Sequence, residues 1–199
     1  MNPAVTLTFL RLGKARGWDA VFFIAARTFG GTVGVLIVAA LFGSAFTDAP
    51  VNYAATMPGS GGPWIAFIAE LLISGALMFV ILTLSGTARL ARFTGYAAGC
   101  LVALYITFES PLSGMSMNPA RTFGSAVFPQ LWDSLWIYFL APPLGMFAAA
   151  AVYLRLMRVV GCAKLHHQNK LCCIFCEYQA ALRKEIQLHK PGELSLPLA

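Results

Sequence analysis

Four stretches of this chain are long and apolar enough to cross a lipid bilayer, and that property constrains its fold more than any other. They run over about 18–42, 64–84, 93–110 and 134–156. A spanning helix needs about 20 predominantly apolar residues. The third stretch is the shortest, and its end depends on whether Glu109 lies inside it. In hydrocarbon every backbone N–H and C=O must be paired within the protein, so such spans are helices. Charged residues make up only 11% of the 199 residues and apolar ones 58%, with a mean hydropathy of +0.72. A soluble globule carries about 25% charged residues. The expected class is an all-α membrane protein in contact with the bilayer.

The formal net charge of +6 does not point to nucleic acid, because of where the cations lie. Arg11, Lys14 and Arg16 precede the first span, Arg89 and Arg92 lie in the second connection, Arg155 stands at the end of the last span, and Arg158 to Lys190 follow it. If four segments cross, all of these share one side. The opposite connections contain no Lys or Arg except Arg121. This is the positive-inside pattern, with both termini cytoplasmic. Arg27 and Arg121 remain as intramembrane candidates, and a cation there is costly enough to be a functional lead. Arg27 has two open readings: it snorkels to the nearer membrane end, or it pairs with an acid such as Glu70.

The tripeptide Asn-Pro-Ala occurs twice, at Asn2-Pro3-Ala4 and Asn118-Pro119-Ala120, and the second runs into Arg121. One copy alone would mark an ordinary helix start, since Asn caps N-termini and Pro suits the first turn. Two copies, each opening a short apolar stretch (1–10 and 118–127), suggest two half-helices. Entering from opposite faces, they would form an inverted repeat meeting at the midplane. Irregular backbone is tolerated there only where it is buried or lines a water-filled path. Their positive dipole ends and the Asn2 and Asn118 amides would face that path. Water oriented by those donors cannot relay protons, and the field of Arg121 repels cations. No general acid, nucleophile or cofactor motif accompanies these residues, so the chain is not expected to be an enzyme.

The strings Met1-Asn2-Pro3-Ala4-Val5-Thr6-Leu7 and Ser113-Gly114-Met115-Ser116-Met117-Asn118-Pro119-Ala120-Arg121 resemble the two signature loops of the aquaporin (major intrinsic protein) family. The resemblance covers nearly all of residues 1–157 and implies a right-handed helical bundle with two half-helices, assembled as a homotetramer in the plasma (inner) membrane. Glu70 matches the glutamate that braces the second loop from behind. Arg121 matches the arginine of the outer selectivity constriction, and Met115 a ring position contributed through its backbone. Counting back from Asn118, Ile106 falls where water-selective members usually carry His. Arg27 stands where the family pattern normally has Gln. The implied function is passive permeation of water. Thr122 after Arg121 and the pair Tyr138-Phe139 favour water, while Ile106 leaves room for small neutral solutes.

In that family two full spans precede the first Asn-Pro-Ala, whereas Met1 stands just before it here. The expectation is an N-terminally truncated channel domain over 1–157, with Met1 an internal methionine of a longer protein. A non-conducting fragment or membrane subunit is the alternative. A charged amine beside Asn2 would be costly at the bilayer centre, so residues 1–16 are expected in the cytoplasm or at the interface.

Residues 158–199 read as a basic cytoplasmic tail. Cys162, His166, His167, Cys172, Cys173 and Cys176 crowd together there. They are weak candidates for a metal site, making a membrane-tethered metal-binding tail a second alternative, and they read first as ordinary reduced or lipidated thiols. No metal is assigned and no cofactor is expected. Cys100 reads as a small buried residue, and the glycines of the spans as helix-packing positions.

Overall fold

The computed structural model describes residues 2–87, 89–157 and 160, and among these it contains helices and no strand. The Cys/His cluster of the tail lies outside the described residues. The helices are α1 (Pro3–Arg11), α2 (Gly17–Phe42), α3 (Ser44–Thr47), α4 (Gly62–Ser85), α5 (Thr94–Phe108), α6 (Ser110–Ser113), α7 (Pro119–Ala126) and α8 (Leu135–Leu156). Four segments are long and apolar enough to cross a membrane: Gly17–Phe42, Gly62–Ser85, Ala91–Phe108 and Leu135–Leu156. The chain is an integral membrane protein, and α1 and α7 are too short to cross.

The α4–α8 pair is the centre of the fold. The two backbones meet at Gly75 and Gly145, where a Cβ on Gly145 would stand 2.1 Å from the Leu71 carbonyl oxygen. Only hydrogen fits such an approach, which small residues supply in place of a hydrophobic driving force between helices. Around this crossing Met78, Leu82, Met146 and Tyr153 are buried, together with Ala4 and Phe9 of α1 and Met115 and Met117 of the α6–α7 loop. A second close approach joins α2 to α7. A Cβ on Gly124 would lie 2.9 Å from the Gly31 carbonyl carbon. The packing role expected of the span glycines therefore holds for Gly31, Gly75 and Gly145. Among the described residues, an added Cβ at Gly30, Gly34, Gly95 or Gly99 would meet nothing within 4 Å outside its own helix.

Two expectations are corrected. Residues 2–11 do not lie apart from the bundle: α1 packs against α8 and α2, with Ala4 and Thr8 fully buried. The physical reason is that α1 hides its own polar groups. Asn2 caps the Ala4 N–H, while the Thr6 and Thr8 hydroxyls donate to the Asn2 and Ala4 carbonyls within the helix. Cys100 is exposed rather than buried, because its face of α5 points away from the α4–α8 core.

Candidate functional site: the junction of two half-helices

Each short helix begins in the same way. Asn2 and Asn118 have extended backbone, and Pro3 and Pro119 open the helices. The Asn118 Oδ1 accepts from the backbone N–H groups of Ala120 (3.1 Å) and Arg121 (3.4 Å). The Asn2 Oδ1 accepts from Ala4 N–H at 2.9 Å. Capping thus occupies both amide oxygens and leaves the amide N–H groups as donors. The two starts meet directly, since the Asn2 Nδ2 donates to the Met117 carbonyl next to Asn118. That bond engages one of the donors expected to face the conduit, while Asn118 stays in the cavity walls.

The approach to Asn118 is built from strained backbone. Gly114, Met115 and Met117 have φ of 74°, 48° and 52°. For Met this left-handed region is uncommon and costs about 1–3 kcal/mol when held. Glu70, fully buried on α4, holds it from behind. One carboxylate oxygen accepts from Ser116 N–H and from the Ser113 hydroxyl at 3.1 Å, while the other accepts from Met117 N–H at 2.7 Å. With those N–H groups turned back, the carbonyls of Met115 and Met117 are free for other donors. Met115 O accepts from Arg121 Nη1 at 3.1 Å, and Met117 O accepts from Asn2.

Further residues complete this scaffold. The Ser113 hydroxyl accepts from Met115 N–H at 3.0 Å while donating to Glu70. The Tyr138 hydroxyl, buried on α8, donates to the Ser113 carbonyl at 2.6 Å. Ser116 bonds the Thr122 hydroxyl and donates to the Asn118 carbonyl. Arg121 is aimed by Thr56 of the α3–α4 connection as well as by Met115. Of these supports, Tyr138 and Thr122 stand out in the sequence only for a different role, and Thr56, Ser113 and Ser116 carry no sequence signal of their own.

Two cavities reach this junction. One of about 430 Å³ brings together Asn2, Ile106, Met115, Asn118 and Arg121. The other, of about 550 Å³, runs along α2 and includes Arg27, Ala120, Asn118 and Arg121. Arg27 therefore lines a cavity, and the alternative of a pair with Glu70 is not realised: both Glu70 oxygens are engaged by loop donors.

An all-helical membrane protein whose two half-length helices meet start to start, over a loop braced by a buried glutamate, is the class these observations define. The major intrinsic protein family model matches residues 1–153, and the chain belongs to that family. It is 38% identical over 157 residues to a probable NIP-type aquaporin of Nicotiana alata, covering 76% of this chain and 55% of the relative. It is 34% identical to the aquaporin NIP1-4 of Oryza sativa subsp. japonica, covering 81% and 57%. It is 36% identical to the probable aquaporin NIP4-2 of Arabidopsis thaliana, covering 76% and 52%. The chain thus spans about half the length of the curated relatives it matches. In structure it is similar to the aquaglyceroporin of Plasmodium falciparum, with a TM-score of 0.67 at 20% identity over 78% of this chain and 72% of that one. That likeness concerns the fold.

Proposed function

We propose that this chain forms the wall of a passive transmembrane conduit for water that also admits small neutral solutes. The observation that carries this reading is the junction itself: Asn118, with its amide N–H groups left free by capping, stands in the walls of both cavities beside Arg121. A water molecule at the junction turns its oxygen toward that donor and cannot pass a proton along an unbroken chain. Arg121, aimed by Thr56 and the Met115 carbonyl, forms the constriction with Ile106 and adds a barrier to cations. Ile106 contributes an apolar side, which favours neutral solutes over ions. The aquaporin names of the relatives support the same substrate class. The reading includes both termini on the cytoplasmic side, by the positive-inside distribution, residence in the plasma (inner) membrane and a homotetrameric assembly.

Stopped-flow swelling tests the proposal. Proteoliposomes carrying the folded protein should shrink or swell faster than empty liposomes under an osmotic step, with a low activation energy. Rates equal to those of empty liposomes, with helicity intact, would exclude conduction.

A further inference from the structure

We propose that Glu109 is held as the neutral acid and is a proton-binding positioning residue for the loop that aims Arg121, acting through the Ser113 hydroxyl. Glu109 lies at the end of α5, just past the span Ala91–Phe108. It is 8% exposed, and both of its carboxyl oxygens are closed off from the surface. It stands at the joint of α5 and α6, and both helices pack on α4. The enclosure is therefore internal to these helices and does not depend on what surrounds the chain. Two carboxyls, Glu109 and Glu70, flank Ser113.

The hydrogen bonds decide which of the two carries a proton. A serine hydroxyl offers one proton and its oxygen lone pairs. The Ser113 proton goes to a Glu70 oxygen at 3.1 Å, and the oxygen accepts Met115 N–H at 3.0 Å. What Ser113 has left for Glu109 is a lone pair, which asks for a donor. A carboxylate cannot donate, and a protonated carboxyl can. Glu70 accepts from Ser113, Ser116 and Met117, so every one of its contacts is made by a donor. The proton therefore belongs to Glu109. Once ionised, Glu109 competes with Glu70 for the single Ser113 proton and sets a second negative charge near the first. Ser113 also holds Met115, whose carbonyl accepts from Arg121 at 3.1 Å, so the effect reaches the constriction through one residue. The titratable groups facing Glu109 are Glu70 of α4, Tyr105 one turn earlier on α5 and Tyr138 of α8. The tyrosines are uncharged below alkaline pH, and the charge of Arg121 acts on Glu70. Burial, opposed by the Ser113 hydroxyl and aided by the like charge of Glu70, raises the pKa of Glu109. A carboxyl whose pKa is raised on folding contributes its stability below the ordinary carboxylate range and loses it as pH rises through the folded value.

Infrared spectroscopy of the full chain in phosphatidylcholine nanodiscs tests where the proton sits. At about pH 6, above the ordinary carboxylate range, wild type should show the C=O stretch of a protonated carboxyl, and Glu109→Gln should lack it. Amide hydrogen exchange tests the coupling to the loop. Corrected for intrinsic base catalysis, exchange at Met115, Ser116 and Met117 in wild type should rise about threefold or more between about pH 6 and about pH 9. The rise should be absent in Glu109→Gln, whose amide N–H₂ can donate to Ser113 at every pH. A wild type without the carboxyl band would overturn the proposal, and so would a band that survives Glu109→Gln, because the proton would then sit on another acid. Corrected exchange that is flat with pH in wild type would overturn it too, and that result needs no variant to fold. The inference rests on the loop geometry and not on conduction: absence of water flux would remove the channel reading and leave both readouts unchanged.

Discussion

Glu70→Ala is the substitution to which the site should respond most. Glu70 is fully buried and accepts from Ser113, Ser116 and Met117. Removing it leaves two buried backbone N–H groups without acceptors, at about 1–3 kcal/mol each. The two together cost about 2–6 kcal/mol, and the strained backbone at Met115 and Met117 loses the group that holds it. Glu70→Gln keeps one acceptor oxygen but sets an amide N–H₂ against an N–H donor, which costs about 1–3 kcal/mol. Thermal unfolding in detergent should therefore rank wild type above Glu70→Gln and Glu70→Ala lowest. Osmotic water permeability should fall in the same order, since the Met115 carbonyl no longer aims Arg121. If Glu70→Ala unfolds at the wild-type temperature with unchanged permeability, the bracing argument is wrong.

Three further substitutions probe neighbouring contacts. Tyr138→Phe deletes the donor to the Ser113 carbonyl and should destabilise by about 1–2 kcal/mol, read by the same unfolding assay, with a smaller effect on flux than Glu70→Ala. Gly145→Val places side-chain carbons where even a Cβ would be 2.1 Å from the Leu71 oxygen. It should force α4 and α8 apart and cost about 3 kcal/mol or more, seen as lost folded yield in detergent chromatography. Glu109 is buried, and burial together with the like charge of Glu70 raises its pKa, against the Ser113 hydroxyl, which lowers it. Glu109→Gln removes the charge that burial and Glu70 disfavour and should raise the unfolding temperature at alkaline pH more than at acid pH, where the wild-type carboxyl is neutral as well; a fall at alkaline pH would refute this reading of the site.

Much of the fold was legible in the sequence because bilayer physics narrows the choices. Long apolar runs at this composition become helices, and two Asn-Pro caps opening short apolar stretches read as half-helices. Which face of each span turns inward was not legible. The spans are apolar all round, so periodicity carries no orientation, and Cys100 was placed on the wrong side for that reason. The placing of residues 1–16 rested on a terminal charge and did not weigh how fully α1 satisfies its own hydroxyls and cap. In the site, Asn118, Arg121 and Glu70 stood out by residue type. Ser113, Ser116 and Thr56 did not, because a hydroxyl in a polar loop reads as ordinary turn chemistry. Gly114 was the available hint: a glycine just before the motif leaves room for the left-handed backbone that Met115 and Met117 continue.

Inside the bundle, α1 sets its start against the start of α7. Thiol labelling of Thr6→Cys tests it most directly, in a variant whose five native cysteines are replaced by serine. Thr6 is 3% exposed, one turn beyond the Asn2 contact to Met117. In intact proteoliposomes the account predicts labelling far slower than in the denatured chain, from either side of the membrane. Labelling as fast as in the denatured chain, with helicity preserved, would place α1 outside the bundle and contradict the account.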